Sequence, residues 1–315
     1  MMKPTILQMG AYPEWDEKAL NEAYDIRSYY EAADKSVFLS DCGNQVRAIA
    51  TRGELGASRE VIEACPNLEL ISVYGVGYDA VDLEACRARG VRVTNTPDVL
   101  TGDVADLGVA MMLAICRGMI GAEAWVRNGD WARAGNYPLQ RRVWGRRAGI
   151  LGLGRIGHEV GQRLRGFGME IAYSDIAEKP YASDWTFVPD AVELAGRSDI
   201  LFVALAASAA TRHIVNREVI EALGPEGVLI NVSRASNIDE QALIAALQAQ
   251  RLGAAGLDVF ENEPTIDPRF LSLPNVLLQP HQASGTIETR RAMGELMRAN
   301  LAAHFAGESL PTPVL

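Results

Sequence analysis

The sequence predicts an α/β protein of two doubly wound, Rossmann-like domains, each built on a parallel sheet, with the first domain discontinuous in sequence. Three observations predict it. Short apolar, β-rich runs alternate with amphipathic helical stretches from end to end, the pattern of parallel strands joined by helical crossovers. The run Ala148-Gly-Ile-Leu-Gly-Leu-Gly-Arg-Ile-Gly157 carries three glycines in a G-x-G-x-x-G spacing immediately after an apolar strand. Asp175 follows Gly157 by 18 residues, at the end of the next apolar run.

In the first third, strands are expected at Thr5–Met9, Val46–Thr51, Leu68–Tyr74 and Val91–Thr94, with helices such as Ser58–Cys65 and Asp82–Arg89 between them. A long helical zone runs from about Thr101 to Arg127, interrupted near Gly118. It is followed by a stretch rich in Trp and Gly (Trp125, Gly129, Trp131, Gly135, Trp144), which reads as an arm or contact surface. A second alternating series begins at Arg147, with strands at Ala148–Leu153, Met169–Ser174, Trp185–Val188, Ile200–Leu205, Val228–Val232, Ala254–Val259 and Val276–Gln279. The last helix, about Thr286 to Phe305, places Met293, Leu296, Met297, Leu301 and Phe305 on one face. Boundaries near Pro97–Thr101 and Ser284–Thr286 give one domain of residues 1–99 plus 286–315 and another of residues 100–285.

A chain of 315 residues is long enough for two cores. Its 48% hydrophobic and 22% charged residues are ordinary for a soluble globular protein. A formal charge of -10 argues against a nucleic-acid groove and against an anionic membrane surface. The longest uncharged apolar stretch, Leu107 to Cys116, is well short of a membrane span. Cys42, Cys65, Cys86 and Cys116 show no CxxC spacing, so no metal site is expected, and four scattered thiols suit a cytoplasmic location.

In the glycine run, one glycine permits the tight turn, one lets backbone amides approach a pyrophosphate, and one lets helix and strand pack closely. Gly152, Gly154, Arg155, Ile156 and Gly157 therefore form the expected dinucleotide loop, with the helix N-terminus facing the phosphates. Asp175 is placed to accept hydrogen bonds from ribose hydroxyls and to repel a 2′-phosphate, which favours NAD; Arg155 and Lys179 leave NADP open.

Arg234, Glu263 and His281 each lie just past the carboxyl end of an expected strand, the crevice where open α/β sheets bind ligands. Reduction of a 2-oxo acid needs a cation for the carboxylate and carbonyl oxygens and a proton donor for the developing alkoxide. Arginine can grip a carboxylate with two hydrogen bonds. Histidine exchanges protons near neutral pH, and a carboxylate partner fixes its tautomer and favours the protonated ring.

These motifs together resemble the D-isomer-specific 2-hydroxyacid dehydrogenase family, particularly its glyoxylate, hydroxypyruvate and hydroxyphenylpyruvate reductases. The likeness runs over essentially the whole chain: Val76-Gly77-Tyr78-Asp79, Thr94-Asn-Thr-Pro97, Val104-Ala-Asp106, Gly152-Leu-Gly-Arg-Ile-Gly157, Asn231-Val-Ser-Arg234, Gly256-Leu-Asp-Val-Phe260 and Pro280-His281. The resemblance implies that Arg234 binds the substrate carboxylate and carbonyl, His281 exchanges the proton and Glu263 pairs with His281. It implies that backbone amides around Val76 and Gly77, next to Tyr74, hold the carboxylate, and that Asp258 hydrogen-bonds the nicotinamide carboxamide. It further implies a homodimer with the zone of residues 101–144 as its contact arm. Trp131, Tyr137 and Leu139 stand as further pocket candidates.

The chain departs from the family pattern in three places. Ala235 stands where a glycine usually follows the arginine, Ala204–Ala210 lacks the usual prolines, and Asp175-Ile176 replaces the Ser/Thr-Arg pair of many NADPH-using relatives. The expected activity is hydride transfer between NAD(P)H and a small 2-oxo acid, giving a D-2-hydroxy acid. A phosphite or formate dehydrogenase on the same fold is the alternative within enzymes, and Glu263 counts against formate. An NAD-sensing corepressor is the alternative from another class, disfavoured by the lack of a basic cluster.

Overall fold

The computed structural model describes residues 3–315. The chain divides into two compact units, residues 1–100 with 284–315, and residues 101–283.

The first unit runs β1 (Thr5–Gln8), α1 (Glu14–Ala23), β2 (Asp25–Ser28), α2 (Lys35–Cys42), β3 (Val46–Arg52), α3 (Arg59–Glu63), β4 (Leu70–Tyr74), α4 (Leu83–Arg89) and β5 (Arg92–Thr94). All its strand pairings are parallel, in the order β2-β1-β3-β4-β5. The order reverses between β1 and β3. Ile6, Leu7, Ile49, Leu70 and Ile71 are fully buried, as expected for strands covered on both faces. Asp34, Ser58 and Asp82 accept amide hydrogen bonds at the starts of α2, α3 and α4, each cap contributing roughly 0.5–2 kcal/mol.

The second unit continues with α5 (Thr101–Cys116), α6 (Met119–Arg127), α7 (Asp130–Ala134), β6 (Arg147–Leu151), α8 (Arg155–Arg165), β7 (Glu170–Ser174), β8 (Thr186–Phe187), α9 (Ala191–Gly196), β9 (Ile200–Val203), α10 (Arg217–Leu223), β10 (Val228–Asn231), α11 (Glu240–Gln248), β11 (Ala254–Leu257) and β12 (Val276–Leu278). Its sheet is also wholly parallel, ordered β12-β11-β10-β9-β6-β7-β8. This order reverses between β6 and β9, so the crevice at the carboxyl end of β6 is the switch point where such sheets bind dinucleotides. The break expected near Gly118 is real: Gly118 has φ +56 and separates α5 from α6. The final helix, α12 (Ile287–Ala306), belongs to the first unit, where Met293, Met297 and Leu301 are buried.

The strand β2 was not expected. Its sequence, Asp-Ile-Arg-Ser, lies at a sheet edge and is half-buried throughout, so it shows neither a continuous apolar run nor an alternation.

Candidate active site

The glycine loop joins β6 to α8, and each glycine answers a different physical demand. Gly152 has φ +90, and a Cβ there would sit 2.8 Å from the Leu205 backbone. A Cβ on Gly157 would meet the Gly152 carbonyl oxygen at 2.0 Å, so only glycine lets α8 start this close to the strand. Around Gly154 nothing lies within 4 Å of a Cβ, leaving the open approach a pyrophosphate needs. Gly154 is also the N-cap of α8 and brings no side-chain cap, so the first amides of the helix have no side-chain cap to compete with a bound phosphate. These residues fit a dinucleotide.

Asp175 stands directly after β7, with its side chain mostly buried. Its Oδ2 accepts from the Leu153 amide at 2.8 Å, inside the glycine loop, and its Oδ1 accepts from the Ile176 amide at 2.7 Å. Lys179 Nζ lies 3.0 Å from Oδ1. The hydrogen bond to Asp175 is the main cause that raises the Lys179 pKa. The acid therefore ties the second strand to the glycine loop and holds a lysine beside the position expected for the ribose. The sequence had marked Asp175 and Lys179, but gave no sign that they pair.

The three chemical candidates lie in the loops after β10, β11 and β12. Asn231, the buried last residue of β10, organises the first loop. Its Oδ1 accepts from the Ser233 amide and hydroxyl, and its Nδ2 donates to the Arg234 carbonyl at 3.1 Å. Asn237, also buried, donates to Ser233 Oγ and to the Leu205 carbonyl. Arg234 leaves this frame with extended backbone, and its guanidinium donates to the Ser233 carbonyl at 3.0 Å.

Glu263 and His281 meet. Glu263 Oε2 is 2.6 Å from His281 Nδ1, while Oε1 accepts from the Phe260 amide at 2.8 Å. Burial works to raise the Glu263 pKa. The hydrogen bonds from His281 and Phe260 and the charges of His281 and Arg234 outweigh it and hold the carboxyl below its usual range. An ionised carboxylate can only accept, so His281 Nδ1 carries a hydrogen and Nε2 is the ring atom left for a substrate. His281 itself has φ +49, an uncommon conformation for a side-chain-bearing residue.

Asp258 supplies the support for that turn. It is 1% exposed, and its two oxygens accept from the Gln282 and Ala283 amides at 2.8 and 2.9 Å. Burial raises its pKa, and the two amide bonds and the His281 charge only partly offset this. Asp258 thus fixes the backbone immediately after His281, a role its place in the sequence did not disclose.

In the first unit, the Gly75–Gly77 loop follows β4 and is held from behind. Asn95 Nδ2 donates to the Val76 carbonyl at 2.8 Å, and Thr96 both accepts from and donates to Gly75. Val76 and Gly77 are half-buried. Tyr74 is buried, and its hydroxyl donates to the Arg290 carbonyl at 2.7 Å. Of the further pocket candidates, Tyr137 packs edge-on against Trp125, whereas Trp131 and Leu139 are exposed.

A model of the D-isomer specific 2-hydroxyacid dehydrogenase NAD-binding domain matches residues 109–283. The chain is 44% identical over 310 residues to a hydroxyphenylpyruvate reductase of Plectranthus scutellarioides, covering 98% of each. Among solved structures, it is similar to a 2-hydroxyacid dehydrogenase of Ketogulonicigenium vulgare Y25, with 72% identity, a TM-score of 0.93, and coverage of 100% of this chain and 99% of that one. It is also similar to an NADPH-dependent glyoxylate/hydroxypyruvate reductase of Sinorhizobium meliloti, solved with NADP and malonate. That match has 42% identity and a TM-score of 0.93, covering 99% of this chain and 97% of the other.

Proposed function

Since the chain belongs to the D-isomer specific 2-hydroxyacid dehydrogenase family, we propose that it reduces small 2-oxo acids of the glyoxylate and hydroxypyruvate type to D-2-hydroxy acids. The observation that carries this reading is the Glu263–His281 pair at 2.6 Å, in the same loop cluster as Arg234, whose charge acts on Glu263. Bound NADH supplies the hydride. Arg234 neutralises and orients the substrate carboxylate and polarises the carbonyl. As charge develops on the carbonyl oxygen, His281 Nε2 gives it a proton, and Glu263 stabilises the ring while it is charged. Asp258 keeps the His281 turn in place. A formate dehydrogenase has no use for this proton-donating pair, because oxidation of formate leaves carbon dioxide.

The cofactor is NADH in preference to NADPH. The support is Asp175, fixed by two amides where a 2′-phosphate would meet a carboxylate. Lys179 offsets part of that repulsion, so the preference is moderate: roughly tenfold or more in kcat/KM, about 1.4 kcal/mol or more. Asp175→Ser removes the repulsion and releases Lys179 toward a phosphate. NADPH affinity should then rise, and NADH affinity fall, in direct fluorescence titrations as well as in turnover. Equal affinities in the parent protein, or no change in the variant, would remove Asp175 as the determinant.

The protein acts as a homodimer through the arm of residues 101–144. Ile120, Val126, Trp131, Leu139 and Trp144 support this reading, a concentration of large apolar side chains exposed to solvent in one stretch.

A further inference from the structure

The glycine loop is held at four points, and one of its anchors is a residue largely exposed to solvent. The Gly152 amide donates to the Ser174 carbonyl at 2.8 Å, and the Gly154 carbonyl accepts from the His158 amide at 2.9 Å. Leu153, between them, is held by two side chains from the segment after β7. Its amide donates to Asp175 Oδ2 at 2.8 Å, and its carbonyl accepts from the Tyr181 hydroxyl at 2.5 Å.

Tyr181 sits in a single 3₁₀ turn over Pro180–Ala182. Pro180 presets the backbone of that turn, and just before it the hydroxyl of the buried Tyr173 accepts from the Lys179 amide at 2.7 Å. Tyr181 is 57% exposed, so burial does not account for its position. Its ring stands edge-on to His158, with centroids 5.2 Å apart, and His158 lies against Trp185 at 5.4 Å. His158 belongs to the first turn of α8. Trp185 is buried against the same helix, where a Cβ on Gly161 would meet its ring at 2.3 Å. The phenol is therefore braced by the helix that the glycine loop begins, and its hydroxyl reaches back to the loop itself.

We propose that Tyr181 is a positioning residue for the cofactor: its hydroxyl latches the Leu153 carbonyl and, together with Asp175, presets the glycine loop that receives the dinucleotide pyrophosphate. A trans peptide points its C=O and N–H in opposite directions, so fixing the Leu153 carbonyl also fixes the direction of the Gly154 amide. With the Leu153 amide tied to Asp175, both peptide planes around Leu153 are set before a ligand arrives. A loop held in this way escapes the ordering cost that binding otherwise carries. The two anchors differ in what they do. The Asp175 charge discriminates at the ribose, whereas the neutral phenol acts on the loop, which NADH and NADPH meet alike. Tyr181 therefore raises the affinity for both without choosing between them. The inference rests on the glycine loop as the pyrophosphate site and not on the identity of the oxo acid.

Tyr181→Phe tests this, since it keeps the ring against His158 and removes only a hydroxyl at an exposed position, so the variant folds. Calorimetric titrations of the parent and the variant with NADH and with NADPH, in the absence of any oxo acid, give the first readout. Both dissociation constants should rise by a similar factor, about three- to tenfold, the effect of one ordinary hydrogen bond. Hydrogen exchange on the cofactor-free proteins gives the second: amides of residues 152–157 should exchange several-fold faster in the variant, with the rest of the second unit unchanged. Affinities unchanged within about twofold for both dinucleotides would overturn the latch. A loss confined to one dinucleotide would overturn it in favour of direct contact between the hydroxyl and the ribose. Exchange raised throughout the second unit would overturn it in favour of a general packing role. A parent protein that binds neither dinucleotide would remove the pyrophosphate assignment and the latch together, whereas a parent that binds both but reduces no oxo acid would refute the reductase reading alone.

Discussion

Replacing His281 by alanine should reduce kcat by about 10²- to 10⁴-fold, the range expected when a positioned general acid is lost, while leaving NADH affinity near that of the parent. The affinity should persist because the proposed cofactor contacts lie elsewhere, in the glycine loop and at Asp175, and the turn after residue 281 stays anchored by Asp258 through the Gln282 and Ala283 amides. A companion variant separates charge from geometry. Glu263→Gln keeps an oxygen that can accept from Nδ1, so ring orientation survives, but it gives up the negative charge that stabilises the protonated ring. Its loss should be smaller than that of His281→Ala. Steady-state turnover and a fluorescence titration with NADH measure both effects. A His281→Ala protein with kcat within a factor of about three of the parent would exclude His281 as the proton donor.

Arg234→Ala should lower kcat/KM by roughly 10²- to 10³-fold, the cost of leaving a carboxylate without its charged partner, about 3–4 kcal/mol. Most of the effect should appear in KM, since the guanidinium binds the ground-state carboxylate as well as the developing charge. Arg234→Lys should recover only part of it, because an ammonium cannot present the planar two-donor fork. The loop itself should survive either change. Asn231 and Asn237 hold it through backbone and Ser233 contacts that do not involve the Arg234 side chain. Glu263 would lose one of the charges that keep it ionised, so the Glu263–His281 pair should weaken as well. A KM unchanged within about twofold would remove Arg234 from substrate binding.

The parts of this site legible in the sequence are those whose cause is local. A turn after a buried strand that must also admit a helix demands glycines at fixed offsets, and the 2.0 Å approach of a Gly157 Cβ to the Gly152 carbonyl shows how strict the demand is. Loops past strand ends could likewise be found from the alternation of strands and helices, which placed Arg234, Glu263 and His281 in one crevice. What spacing alone could not supply was pairing between distant residues. Glu263 and His281 are 18 residues apart, nothing in that interval requires their contact, and only the family resemblance led to the expectation that they pair. Asp258 sits at a strand end like many acids, and only the fold brings its two oxygens onto the amides 24 and 25 residues later. Asp175 was recognisable as an acid after a strand. Its bonds to Leu153 and Lys179 depend on how β7 lies beside the glycine loop. The polar edge strand β2 gave no periodicity at all.

The reductase assignment is tested most directly by one assay: the purified protein with NADH and excess hydroxypyruvate, followed by loss of NADH absorbance and chiral analysis of the product. D-glycerate should form in stoichiometric amounts as NADH is consumed. No NADH consumption in a protein that demonstrably binds NADH, or formation of the L-acid, would contradict it.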